Sequence, residues 1–335
     1  MTLLLDNADV RAVLRMRDVI AALDSAFVDY AGGSAVNRPR SHTYTHRGGA
    51  RHYLFKTMDG SLPRVGVHAL RLTSDLTDES NGKRIKVPAA PGDRYVGLVL
   101  LFDLDTLAPV AILHDGYLQR MRVGATSALA AGRLARRAAR RVGLIGAGWQ
   151  AGAQLEGLRE VRETDDVRVF APTREKLEAF AAEHDAVAVD SAREAIEGAD
   201  IVVLATNAQR PVLDGAWLAA GTHVNSVQRH ELDPTTLARA ELVVVRSREE
   251  PTFHYAPGRA PRAARERALG GVVELGDVLT GLAGRTSDDQ ITLFTGGGGL
   301  GIQFAAVAHA VVEAARAAGI GRDLPTEWFT QEEKP

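Results

Sequence analysis

Cysteine is absent from all 335 residues, which rules out disulfides, thiolate catalysis and cysteine-ligated zinc or iron-sulfur centres. A large excess of either charge is missing too. The formal net charge is -2 with 24% charged residues, so neither nucleic acid nor an anionic membrane is an expected partner. Long apolar runs are also lacking: Val96 to Phe102 and Leu242 to Val245 fall far short of the roughly 20 residues a membrane helix needs. The opening Met1-Thr2-Leu3-Leu4-Leu5-Asp6 meets a charge within a few residues and shows neither a basic leader nor a small-residue cleavage site, so a cytoplasmic location is expected. His230 and His254 have no partners at ligand spacing, and no metal is expected.

What is present divides the chain. Val10 to Tyr30 places Val13, Leu14, Val19, Ile20, Leu23 and Phe27 at helical spacing and ends at Gly32-Gly33-Ser34, which predicts one amphipathic opening helix. From Ser41 to Phe102 short β-rich runs (His52 to Phe55, Val67 to Leu72, Val96 to Phe102) are separated by Gly, Pro and Asp turns, the pattern of an antiparallel sheet. Leu76 to Arg94 is polar and rich in Pro, Gly and Lys, a candidate loop over a site. A small-residue helix over Gln119 to Ala138 then leads into the apolar strand Arg141 to Ile145. From there strands and helices alternate as far as Leu242 to Arg246, which implies a parallel sheet with crossover helices. A charged stretch, the strand Ile291 to Phe294, a four-glycine turn and a long helix from Gly301 to Ala318 complete the chain.

The strand Arg141 to Ile145 runs into Gly146-Ala147-Gly148-Trp149-Gln150-Ala151 and a helix, inside a βαβ unit. In that context Gly146 allows a tight turn, Gly148 lets the backbone approach a pyrophosphate, and Ala151 or Gly152 permits close helix-strand packing. The helix N-terminus then faces the negative charge. Trp149 and Gln150 belong to the expected cofactor site, as do Thr206, Asn207 and Val227 where two later strands end. The second strand ends Val169-Phe170-Ala171-Pro172-Thr173-Arg174-Glu175-Lys176, without the carboxylate that would accept from an NAD ribose. Thr173, Arg174 and Lys176 suit a 2'-phosphate, so NADP(H) is favoured over NAD(H). The alternative is that Arg174 and Lys176 are solvated residues opening a helix.

Over nearly its whole length the chain resembles the ornithine cyclodeaminase/mu-crystallin family. The carriers are Val99 to Phe102, Asp115-Gly116, Arg122 opening an Ala/Ser helix and the glycine turn at 146 to 151. Further on they are Gly221 to Val227, Glu231-Leu232-Asp233-Pro234 and Thr292-Leu293-Phe294. The resemblance implies an α/β fold: a Rossmann domain at 123-304, and an α+β substrate-binding and dimerisation domain with an antiparallel sheet, 1-122 with 305-335. It also implies a homodimer whose first domains pair their sheets across a twofold axis. In the family two arginines bind the substrate carboxylate; the matching positions are Arg122 and Arg40, with Arg38 as the alternative. A guanidinium fork suits a carboxylate, and a positive charge at a helix N-terminus is disfavoured unless it has work to do.

Departures from the family pattern bear on the reaction. Arg71 stands where relatives carry a strand lysine, and arginine stays protonated. Gln228-Arg229-His230-Glu231 replaces the segment that holds the cyclodeaminase aspartate, Val123 stands in place of threonine, and Gly296 to Gly299 lengthens a turn. These point away from ornithine cyclisation and toward NAD(P)H-dependent reduction of an imino or ketimine carboxylic acid, or amino-acid dehydrogenation in reverse. Arg71 would serve a second acidic group on the substrate. Proton donors come from Lys56, Lys86, His68 and Asp75, because a desolvated Lys or a His can be tuned toward neutral pH. Lys86 either turns inward or is a solvated edge lysine, and Asp75 equally suits a turn. The competing readings are a redox-neutral deaminating lyase and a non-catalytic binder of NADPH or another ligand.

Overall fold

The computed structural model describes residues 1-80, 85-248, 252-258, 262-264, 271-296 and 298-333. The chain forms two units, one of Met1–Gln119, Glu249–Ala268 and Gly298–Pro335, the other of Arg120–Arg248 and Leu269–Gly297.

Period-two alternation builds the first unit. Along the strand Val67–Asp78 every second residue is buried, and the buried set changes from apolar Val67 and Ala69 to polar Arg71, Thr73, Asp75 and Thr77. Among the described residues the sheet has eleven strands. Its main path runs 262-264, 252-255, 41-46, 51-62, 67-78, 96-103, 109-114, 2-5, 322-324. The helix Gly301–Ala318 packs on the strands Arg51–Leu62 and Val67–Asp78 with a nearly continuous apolar surface that includes Phe304, Val307, Val311 and Val312. On the opposite face Phe55, Leu70, Leu72, Leu98, Leu100 and Ile112 are only half-buried. They form one apolar patch, since Leu72 pairs with Leu98, Leu70 with Leu100 and Leu100 with Ile112.

The predicted opening helix is two helices, Asn7–Val13 and Met16–Ala31. Leu14 and Arg15 between them are extended, and the break lets both Leu14 and Met16 bury. The expected loop from Leu76 to Arg94 begins as strand, because Val67–Asp78 runs on to Asp78 and Ile85–Val87 pairs back onto it; residues 81-84 lie outside the described residues. The expected Rossmann span 123-304 also needs correction. Phe253 to Tyr255 pair in parallel with Ser41 to Thr43, and Phe253 N donates to Arg40 O at 2.8 Å, so this segment extends the edge of the first sheet. The first unit's C-terminal part accordingly starts at Gly298 rather than 305.

Among the described residues the second unit is a parallel sheet of eight strands in the order 187-188, 166-170, 141-145, 201-204, 223-226, 292-295, 242-245, 273-274. Strands such as Ile201–Leu204, His223–Ser226 and Thr292–Thr295 are buried at every residue, as a sheet covered on both faces requires. The chain winds one way from Arg141–Ile145 to Asp166–Phe170 and the other way to Ile201–Leu204. A switch point of this kind leaves a crevice at the strands' carboxyl ends, where doubly wound sheets bind ligands. Among the described residues no helix is long and apolar enough to cross a membrane.

Candidate active site

In the second unit the glycine turn sits at the switch point. Gly146 has φ 116°, and a β-carbon there would overlap the Ala205 carbonyl oxygen, so only glycine fits. Gly148 caps the helix Trp149–Val161 without a side-chain hydrogen bond, and a β-carbon built on it meets nothing within 4 Å. Open space lies over a helix start whose amides have no side-chain cap, which is the shape and charge that a diphosphate fits. Gly148 and Trp149 line a cavity of about 400 Å³ together with Lys176 and His184. Thr173 caps the helix Arg174–Glu183 with no side-chain bond, while Arg174 is held at 2.6 Å by both Glu178 and Asp190. Thr206, Asn207 and Val227 follow the ends of the strands Ile201–Leu204 and His223–Ser226, and Val227 N donates to Leu204 O at 3.0 Å.

Arg122 is 4% exposed and lies in the interior of the helix Asp115–Leu134, about two turns from its start. The argument from a helix N-terminus therefore does not apply to it. His223, whose burial pushes its pKa down to about 3, bonds Thr292 Oγ1 and Asn225 Oδ1 and is a neutral core residue.

In the first unit the antiparallel register assembles a polar array. Lys56 is the cross-strand partner of Thr73, and Lys86 that of Thr77, so both share a face with Arg71 and Asp75. Asp75 is a buried mid-strand residue, not a turn residue. Its carboxylate receives Lys56 Nζ at 3.1 Å, Lys86 Nζ at 2.9 Å and Thr73 Oγ1 at 3.2 Å. Burial strips water from the Lys56 ammonium and holds its pKa below the ordinary lysine value, against the opposing pull of Asp75. Burial also pushes the Asp75 carboxyl upward, but the two lysine charges and their hydrogen bonds outweigh it and leave Asp75 below the usual carboxylate value. Arg71 donates Nε at 2.9 Å and Nη2 at 2.5 Å to one oxygen of Asp115, with its guanidinium 5.3 Å from the Phe304 ring centre.

The remaining expectations separate. Arg40 lies against Gly298, where a β-carbon would overlap its guanidinium. Arg38 is exposed and paired with Asp59. His68 points to the other face of the sheet and bonds Ser61 Oγ at 2.7 Å. No metal-ligating cluster occurs among the described residues. Sequence reasoning missed Asp115 as the partner of Arg71. It also missed His42, the cross-strand partner of Lys56, with Tyr44 and His254 in ring contact around it. The signal was available: once the turn between Leu62 and Val67 is fixed, counting outward places Lys56 opposite Thr73.

A family model described as the ornithine cyclodeaminase/mu-crystallin family matches residues 1-319. The chain belongs to this family. A Delta(1)-pyrroline-2-carboxylate reductase of Bacillus cereus is 36% identical over 241 residues, 68% of this chain and 74% of the relative. A structure of the Thermococcus litoralis Delta(1)-pyrroline-2-carboxylate reductase in complex with NADH and L-proline aligns with a TM-score of 0.76 at 28% identity. That alignment covers 96% of this chain and all of the other. An archaeal alanine dehydrogenase dimer with bound NAD aligns at 0.78 and 26% identity, covering 97% and 99%. Lys56 brings an amine from the adjacent strand to the face that carries Arg71.

Proposed function

We propose that this chain is an NAD(P)H-dependent reductase of carboxylated imines, open-chain or cyclic, which in reverse acts as an amino-acid dehydrogenase. The observation that carries the reading is the array of Lys56, Asp75 and Lys86 beside Arg71, in a chain that also holds an open diphosphate cradle at Gly148. Bound at that cradle, the reduced nicotinamide supplies a hydride. The protein must supply a proton to the imine nitrogen. Lys56 Nζ is the donor: its lowered pKa makes the proton easier to give up, and Asp75 fixes its direction and favours the charged form.

Arg71 cannot exchange a proton, so it serves as fixed charge. With Lys56 and Lys86 it outnumbers the carboxylates Asp75 and Asp115, which favours an anionic substrate, including one with a second acidic group. Arg40 and Arg122 are the proposed carboxylate-binding residues, a guanidinium fork being suited to a carboxylate. NADP(H) is favoured over NAD(H) because no carboxylate stands at Ala171-Pro172-Thr173, and Lys176 lines the cavity beside Gly148. The pairs that hold Arg174 are exposed and of little worth, so a 2'-phosphate can replace them at small cost. The first unit is the substrate-binding and dimerisation domain. A second copy of the chain covers the apolar patch around Leu72 and Leu98, and the self-complementarity of a twofold contact suits a flat sheet face.

The test is turnover of Delta(1)-pyrroline-2-carboxylate, and of 2-oxo acids with ammonia, each with NADPH and NADH. Loss of the reduced nicotinamide on several of these, with the lower Kd for NADPH, is the expected result. Silence across all carboxylated imines refutes the reductase. Ammonia release from a diamino acid without net nucleotide change assigns the chain to the redox-neutral lyases instead.

A further inference from the structure

Glu231 opens the Glu231-Leu232-Asp233-Pro234 segment and takes no part in the proposed chemistry. It is fully buried, at 0% exposure. No arginine or lysine neutralises it in any ion pair among the described residues. Instead its carboxylate accepts four hydrogen bonds. Oε1 receives Thr206 N and Thr206 Oγ1, both at 2.7 Å, and Oε2 receives Gln228 N at 2.9 Å and Ser226 Oγ at 3.2 Å. The circuit closes through Gln228 Nε2, which donates to Thr206 O at 2.8 Å, and Ser226 Oγ, whose single hydrogen is shared between Glu231 Oε2 and the nearer Gln228 O at 2.7 Å. Burying a charge is costly unless hydrogen bonds replace its water, and here they do so from two directions.

Those two directions are the segments that follow two adjacent parallel strands, Ile201–Leu204 and His223–Ser226, at the carboxyl end of the nucleotide sheet. Thr206 is also one residue from Ala205, whose carbonyl packs on Gly146. The clasp therefore bears directly on the diphosphate turn. The rest of the segment anchors it from behind: Val212 N donates to Glu231 O at 2.9 Å, and Asp233 accepts from Gly215 N and Thr236 N.

We infer that Glu231 is a positioning residue that ties the segment after Leu204 to the turn after Ser226, and so sets the shape of the nucleotide site. It touches no reacting atom, and both of its carboxylate oxygens are taken up by hydrogen bonds within the clasp. The inference rests on the nucleotide-binding reading above.

Glu231→Gln keeps the shape but turns an amide toward one pair of donors, breaking half the clasp. Its effect is read against Asp200→Asn, which removes a carboxylate that accepts Arg136 Nη2 at 2.6 Å and the backbone amides of Arg140 and Arg141 at the opposite end of the same strand. Both variants are expected to lower the melting temperature. Only Glu231→Gln raises the Kd for the reduced nucleotide, by about tenfold or more. Ser226→Ala, which removes one donor and folds more safely, raises Kd by a smaller factor, and adding it to Glu231→Gln raises Kd by less than the two separate effects combined, since both act on one clasp. A Glu231→Gln protein that binds nucleotide within twofold of the wild type overturns the inference, as does additivity of the two substitutions. Wild-type protein that takes up neither nucleotide refutes the nucleotide reading itself.

Discussion

Asp75→Asn moves a single charge in the proposed catalytic array, and its effect on pH dependence has a definite sign. In the native array burial already lowers the Lys56 pKa, and the Asp75 carboxylate at 3.1 Å resists that fall. Two unit charges at that separation attract by about 5 kcal/mol at an effective dielectric constant of roughly 20. Part of this is lost because Lys86 shares the carboxylate. The usual effect of one opposite charge, about 1 to 3 pKa units, is the better guide. Without Asp75, desolvation acts unopposed and the charges of Lys86 and Arg71 add to it, so the Lys56 pKa falls further. Imine reduction needs protonated Lys56, so kcat/KM declines as pH rises through that pKa. In Asp75→Asn the alkaline limb shifts to lower pH by about 1 to 3 units. Amino-acid oxidation needs neutral Lys56, and its rising limb moves the same way, so the variant loses rate in one direction where it gains in the other. Any limb that belongs to the substrate is common to both proteins and cancels. Lys56→Met, the companion variant, abolishes the limb and costs about 100- to 10,000-fold in kcat. If the two proteins have superimposable pH profiles in both directions, Lys56 is not the donor and the mechanism fails.

Two further outcomes follow from packing. Gly146→Ala forces a β-carbon onto the Ala205 carbonyl at φ 116°, so it should destabilise the fold by more than about 1 kcal/mol and remove the thermal stabilisation that nucleotide confers on the wild type, as read by calorimetry with and without NADPH. Leu72→Asp places a charge in the apolar patch opposite Leu98 while leaving the second unit untouched. Sedimentation should show a dimer for the wild type and a monomer for the variant, with nucleotide affinity retained; a wild-type monomer at micromolar concentration contradicts the proposed assembly.

How much was legible depended on whether the signal was local. The turn at Gly146 and Gly148 was readable because strand, turn and helix are contiguous, and each glycine answers a local demand of φ or space. The alternation along Val67–Asp78 was readable for the same reason. The break at Leu14 and Arg15 was not, since no proline or glycine marks it and only tertiary burial of Leu14 and Met16 explains it. Nor was the membership of 252-255 in the first sheet, because pairing with Ser41 to Thr43 spans most of the chain. Arg122 was expected to open a helix, but the helix starts at Asp115, a residue whose buried pairing with Arg71 no spacing rule announces. Lys56 lay between these cases, since it was named as a candidate and needed only the hairpin register to find Asp75.

The order in which the first sheet is closed has a consequence for biosynthesis. One flank, at Ser41 to Thr43, is covered by Phe253 to Tyr255, and the other, at Thr2 to Leu4, by Arg322 to Leu324. Both covering segments emerge from the ribosome long after the strands they protect. Until then the nascent chain carries two open strand edges, which are templates for association with other chains. Products terminated before Arg322 will therefore keep the edge at Thr2 to Leu4 open and prone to association.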